Sequence, residues 1–174
     1  MIRSSHRSIA LRWLLPMLAL AMCGCASTKY ALPTPAQKLD FQNAIHGDLD
    51  ATALLALTED AIYTHLERFM YTHPELYGST YALDPAYAGK ELAPYVYRVN
   101  GKLLRKDLAV GDYDYSHLPW FTLPMSLKLP VWSDEYFDAG GGDIMMMTYS
   151  APIMKDGRAI GVLTADFPLK LKAE

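Results

Sequence analysis

"DIMMMTYSAPIMKDGRAIGVLTADF", Asp143 to Phe167, sets two strand-like apolar stretches on either side of Asp156-Gly157. Aspartate and glycine tolerate the positive φ that both central positions of a type I′ turn need, so the stretch predicts a β-hairpin. "PYVYRVNGKLLRKDL", Pro94 to Leu108, repeats the design around Asn100-Gly101. Two hairpins predict an antiparallel sheet, and "STYALDP", Ser79 to Pro85, offers one further strand.

Upstream of these strands the apolar period becomes helical. Leu39, Phe41, Ala44 and Ile45 lead to Gly47, after which Leu54, Leu55, Ala61, Ile62, Leu66, Phe69 and Met70 recur at three- and four-residue intervals. Asp50 or Thr52 can cap the second run. The pattern predicts a long amphipathic N-terminal helix with a kink near Gly47, stopped where Pro74 disfavours helical geometry at His73. Helix followed by antiparallel strands is an α+β chain. Between the hairpins, "GDYDYSHLPWFTLPMSLKLPVWSDEYFDAGGG", Gly111 to Gly142, is too rich in proline, glycine and aromatics to be regular, with at most a short helix from Trp120 to Ser126. A connection of this length inside a compact domain is usually functional.

The N-terminus reads as an export signal. Arg3, Arg7 and Arg12 form a basic region, and Trp13 to Met22 an apolar run about half the roughly 20 residues that span a bilayer. The chain's two cysteines, Cys23 and Cys25, follow directly. Their placement resembles the bacterial lipobox, in which a small residue precedes an acylated cysteine. Gly24 before Cys25 meets that need, whereas Met22 before Cys23 is bulky; a secretory signal with a chance cysteine, or a disulfide, is the competing reading, although two residues apart the pair is poorly placed to close a useful loop. The expected organisation is a signal peptide over 1–24, a short polar tether over 25–37 and one domain over 38–174. Ala26 offers no inner-membrane retention cue, which points to the outer membrane within the cell envelope.

Loss of the three leader arginines takes Lys+Arg from 16 to 13 against 19 acidic residues, moving the formal charge from −3 to −6. A mildly acidic body argues against nucleic acid or an anionic lipid surface as partner. Acyl chains on Cys25 would hold the protein to the bilayer. With no other cysteine, the exported domain has to be stable without disulfides.

Signals for catalysis or a cofactor are absent. The chain holds no nucleophile elbow, no phosphate loop and no paired metal-ligand spacing among His46, His65, His73 and His117, which read as surface or packing residues. "AGGGD" lacks the Lys-Ser/Thr pair and the helix of a phosphate cradle. Met145 to Met147 read as core filler rather than as metal ligands. No metal, no cofactor and no enzymatic activity are expected.

The ordered motifs "PELYGSTYALDP", "APYVYR", "YDYSHLPWF", "VWSDEYFDAGGG", "MMTYSAPI" and "GVLTADF" are similar to the Cache (PDC-type) extracytoplasmic sensor domains of bacterial chemoreceptors, histidine kinases and serine-phosphatase regulators. The resemblance runs from about Asp40 to Leu171. It implies a long N-terminal helix on a PAS-like antiparallel sheet, with a small-molecule pocket between sheet and aromatic loop. In such a pocket Tyr113, Tyr115, Trp120, Trp132 and Tyr136 would form aromatic walls with polar tips, with Phe121 beside Trp120. Asp138 and Asp166 would accept hydrogen bonds from an ammonium or hydroxyl group. The competing reading makes Trp120 and Trp132 core plugs and Asp138 a cap for the glycine turn.

The chain departs from the amino-acid-binding branch of the family at two positions. The arginine that clamps a ligand carboxylate is replaced by Leu118, and the tyrosine after the tryptophan by Phe121. Without a guanidinium fork an α-carboxylate lacks its best partner, although Arg98 could supply one from the sheet. An amine-bearing ligand, a neutral metabolite or no ligand all stay open. The chain also ends at Glu174 without a cytoplasmic module, so the expectation is a lipid-anchored sensor-type lipoprotein that passes ligand information to a separate membrane partner. The alternative is a structural or interaction lipoprotein that keeps the fold without a ligand.

Overall fold

The computed structural model describes residues 29–172. The expected leader over 1–24 and the expected acylation position Cys25 lie outside the described residues. Strand β1 (Tyr30–Ala31) leads to helices α1 (Pro35–Ala53) and α2 (Glu59–Thr72), then to β2 (Gly78–Leu83) and the one-turn α3 (Pro85–Ala88). The first hairpin is β3 (Pro94–Val99) and β4 (Lys102–Asp107). After it come α4 (Pro119–Leu127), the short β5 (Val131–Trp132) and β6 (Tyr136–Phe137), and the second hairpin, β7 (Met145–Lys155) and β8 (Arg158–Pro168), with β9 (Lys170–Leu171) closing the order.

Both predicted turns form. Asn100 and Gly101 take φ of 49° and 78°, and Asp156 and Gly157 take 50° and 75°. The hairpins join one antiparallel sheet in the order β4-β3-β2-β8-β7-β5, with β6 also on β7. Alternation along the strands gives the sheet two faces. On one, Tyr81, Val96, Tyr149, Ile153 and Leu163 pack against Phe41, Ile45, Ile62, Leu66 and Phe69 of α1 and α2. Each such fully buried side chain contributes roughly 1.5–3 kcal/mol. On the other, Ala82, Tyr95 and Val162 meet Trp120 and Phe121 of α4.

The helical region differs from expectation in two respects. Gly47 lies inside α1, where an added Cβ would meet nothing within 4 Å, and the break falls instead between Ala53 and Glu59. The reason is local: Thr58 accepts from Ala61 N at 3.4 Å, and Glu59 and Asp60 in the first turn complement the helix dipole. Thr52 instead turns its hydroxyl back to Asp48 O at 2.8 Å inside α1 and caps nothing. The segment read as a free tether is also partly built into the body. Tyr30–Ala31 pair with Lys170–Leu171, and α1 begins at Pro35 behind a Thr34–Gln37 capping box.

His65 is a packing residue. Arg68 Nη2 donates to its Nδ1 at 3.3 Å, which leaves Nε2 to donate to Asp48 Oδ2 at 2.5 Å and stitch α2 to α1. Met146 and Met147 are buried in the sheet.

Candidate ligand-binding site

The glycine run after β6 is shaped around one carboxylate. Asp138 Oδ2 accepts from Gly142 N at 2.6 Å, and its carbonyl accepts from Gly141 N and Asp143 N at 3.2 and 2.9 Å. A Cβ at Gly141 would collide with the Asp138 carboxylate, and one at Gly142 would come within 2.6 Å of Met146 Cε. Gly140 takes φ of 80°, a region that side chains disfavour. Lys106 Nζ donates to Gly141 O at 2.8 Å and Tyr77 OH to Gly142 O at 2.9 Å, so β4 and the chain before β2 brace the loop from behind.

Asp138 Oδ1 faces the opposite way and accepts from Tyr113 OH at 2.8 Å. The Trp120 indole donates to the same phenol oxygen at 3.1 Å, so indole, phenol and carboxylate form one relay. Burial first, and then the Asp138 charge, push the Tyr113 phenol up, which keeps it a donor.

A second carboxylate lies one layer down. Asp166 on β8 is buried and accepts from Tyr95 OH and Thr148 Oγ1, both at 2.9 Å. Since the single Thr148 proton goes to Asp166, Tyr136 OH, 2.9 Å from Thr148 Oγ1, is the donor in that pair. Desolvation, followed by repulsion from Asp138, pushes the Asp166 carboxyl up to about 7 against the opposing effect of its two hydrogen bonds. Gly78 pairs with Asp166 across the sheet, and a Cβ there would collide with the Tyr95 ring.

These groups border a cavity of about 520 Å³ between α4, β5, β6 and β7. Tyr113, Trp120, Tyr136 and Asp138 line it together, with Leu118 and Leu123 of the α4 region as an apolar wall. Among the described residues, no lysine, arginine or histidine lines it, while Asp134 and Asp138 do. A larger depression of about 730 Å³ between α1 and α2 is more open to solvent, and His73 and Glu75 on its rim are paired at 3.0 Å.

The other singled-out residues sit elsewhere. Trp132 borders the cavity, but it stands opposite Tyr149 and its ring packs toward the helices, 5.3 Å from the Tyr149 ring and 6.0 Å from that of Phe41. Lys38 Nζ lies 5.2 Å over it. Tyr115 is buried, donating to Leu83 O at 2.8 Å and accepting from Leu92 N at 3.2 Å. Phe121 packs edge-on to Tyr115 at 5.3 Å and does not line the cavity. Asp166 does not line it either, and reaches it only through Thr148 and Tyr136. Arg98 cannot replace the missing clamp, because it points to the helical face, where its Nη2 donates to Met70 O at 2.7 Å.

Tyr95, Thr148 and Ser150 were not singled out by sequence. The signal for the last two is present in "MTYSAP", where Thr148 and Ser150 place hydroxyls on alternate positions of an otherwise apolar strand.

Residues 62–171 match the family described as methyl-accepting chemotaxis protein-like, first PDC sensor domain. No curated protein sequence matches the chain. Among solved structures, the extracellular domain of soHK1S-Z6, described as a histidine kinase, superposes with a TM-score of 0.67 at 27% identity, over 75% of this chain and 53% of that one. That of mmHK1S-Z3, described likewise, gives 0.58 at 23% over 76% and 51%. The ligand-binding domain of the Campylobacter jejuni chemoreceptor Tlp3 in complex with L-valine gives 0.56 at 21% over 73% and 50%. The last two likenesses are of fold alone. The chain spans about half the length of these structures.

Proposed function

The chain belongs to the methyl-accepting chemotaxis protein-like PDC sensor family, and on that premise we propose that it is an extracytoplasmic binding module for a small amine. The observation that carries this reading is the charge of the cavity. Its lining holds the carboxylates of Asp134 and Asp138 and, among the described residues, no cationic side chain. An ammonium group beside Asp138 gains a charged hydrogen bond and lies against the Trp120 and Tyr136 rings, which attract cations.

The Tlp3 domain is described with L-valine bound, a ligand with both an ammonium and a carboxylate. Here the position at which the family resemblance implies a carboxylate clamp is Leu118, which lines the cavity, and Arg98 is turned to the other face of the sheet. A carboxylate in this cavity would be desolvated without a partner, which is costly. The favoured ligand therefore keeps the amine and lacks the acid. Thermal-shift titration with isobutylamine and with L-valine, which differ by that one carboxylate, tests the reading. Isobutylamine is expected to raise the melting temperature and L-valine to leave it unchanged; the reverse ranking, or a flat response to both, rejects an amine site.

In the same reading, Cys25 carries the acyl anchor at the periplasmic face of the envelope, and the liganded domain is presented to a separate membrane signalling protein. Support comes from the leader pattern in the sequence and from relatives described as extracellular domains of histidine kinases.

A further inference from the structure

Among the described residues, four buried side-chain polar atoms have no hydrogen-bond partner: Tyr81 OH, Arg98 Nε, Trp132 Nε1 and Ser150 Oγ. Tyr81 and Arg98 belong to the helical face. Ser150 belongs to the opposite one and is the single residue of the β7–β8 hairpin that lines the cavity. Its neighbours there are all engaged: Thr148 Oγ1 donates to Asp166, Thr80 Oγ1 donates to Pro94 O at 2.8 Å, and Thr164 Oγ1 accepts from Thr80 N at 3.0 Å.

An unpaired buried hydroxyl opposes folding, whereas alanine would occupy the same strand position without that penalty. The hydroxyl therefore contributes nothing visible to the fold. It is also free to turn. Rotation about χ1 moves it between staggered positions without breaking any hydrogen bond, and the cavity lies on its side of the sheet. Asp138 N donates to Ile144 O, and Ser150 stands six residues further along the same chain. Asp138 and Ser150 thus line the same cavity at two separate points, together with Trp120, Tyr136 and Val131, the strand partner of Ser150.

We propose that Ser150 is a second polar anchor of this cavity, and that the ligand is an amine carrying a hydroxyl or carbonyl oxygen at a second position, apart from the ammonium group. This rests on the amine reading above and narrows it from amines in general to those with this second polar group.

The test uses the full chain, titrated calorimetrically with n-alkylamines from butylamine to octylamine and with the ω-amino alcohols of the same chain lengths. At the matching length the amino alcohol is expected to bind roughly three- to tenfold tighter, the factor that one net hydrogen bond supplies. Ser150→Ala should erase that preference, leave alkylamine affinity unchanged, and melt at or above the parent without ligand. Alkylamine binding with no amino-alcohol preference, or a preference that survives in Ser150→Ala, overturns the Ser150 anchor while leaving the amine site standing. A ligand-free Ser150→Ala protein that melts well below the parent also overturns it, by showing a structural role for the hydroxyl. Binding by neither series removes the amine reading and this inference together.

Discussion

Tyr113 and Asp138 stand 25 residues apart in the chain, yet the phenol donates to the carboxylate across 2.8 Å while accepting from the Trp120 indole. The other oxygen of the same carboxylate caps the glycine loop through Gly142 N. The carboxylate proposed as the amine anchor is therefore also the turn cap, and the two readings of Asp138 that the sequence opposes are compatible in space.

Asp138→Asn is accordingly expected to act on both. Amine affinity should fall by about 1.5–3 kcal/mol, the scale of a hydrogen bond to a charged group. Ligand-free stability should also fall, by about 1 kcal/mol, as for other lost caps. Tyr113→Phe leaves the Trp120 indole without its acceptor and should lower stability by about 1–2 kcal/mol. Calorimetric titration and urea unfolding measure the two effects; unchanged affinity in Asp138→Asn would remove the carboxylate from the site.

Asp166 makes stability depend on pH in an unusual direction. Its carboxyl is raised from 3.8 to about 7, so between those values the folded state holds a proton that the unfolded chain releases. The derivative of unfolding free energy with pH is then negative. This group's contribution is most favourable below about 4, falls as pH rises, and reaches its full penalty, on the order of a few kcal/mol, above about 7. The ligand-free melting temperature should drop between about pH 4 and pH 7, and Asp166→Asn should flatten that slope. An ammonium ion nearby favours the ionised carboxylate. Amine binding should therefore expel a proton, and its affinity should rise with pH through 7; calorimetry in buffers of different ionisation enthalpy reads the proton directly.

The two tryptophans of the body should separate by readout. Trp132 packs with Phe41 and Tyr149 on the helical side. Trp132→Ala is expected to lose about 3 kcal/mol of stability and little amine affinity. Trp120→Phe removes the indole donor to Tyr113 and a cavity wall, and should weaken amine binding by about 1 kcal/mol. Equal losses of affinity in both would place the Trp132 ring in the cavity.

Glycines offer a matched pair. Gly142→Ala drives a methyl group into Met146 and the Tyr77 ring and should destabilise by about 1–3 kcal/mol. Gly47→Ala, in an open helical position, should stabilise by roughly 0.5–1 kcal/mol. Chemical denaturation midpoints are sufficient to check the opposite signs.

For the anchor, Cys25→Ser should abolish metabolic fatty-acid labelling, whereas Cys23→Ser should not. Labelling lost only in Cys23→Ser would move the acyl group to the other cysteine.

The features legible in the amino-acid order are those whose physics is local. Asn100-Gly101 and Asp156-Gly157 specify their turns because positive φ is a property of the residues at the turn. The loop around Asp138 needs each of its three glycines for a different reason: Gly140 takes positive φ, a Cβ on Gly141 would strike the Asp138 carboxylate, and one on Gly142 would strike Met146. The break in the helices is equally local, at Thr58-Glu59-Asp60, although by residue type Gly47 is the stronger interruption. The tertiary structure alone decided which side of the sheet each aromatic serves. Trp132 faces the helices because β5 pairs with β7 in the register that sets it opposite Tyr149; a slip of one residue would have sent it into the cavity. Register is a long-range contact between strands, and residue types alone cannot fix it. For the same reason only the folded sheet brings Tyr95, Thr148 and Asp166 together beneath the cavity, and leaves the Ser150 hydroxyl beside it without a partner.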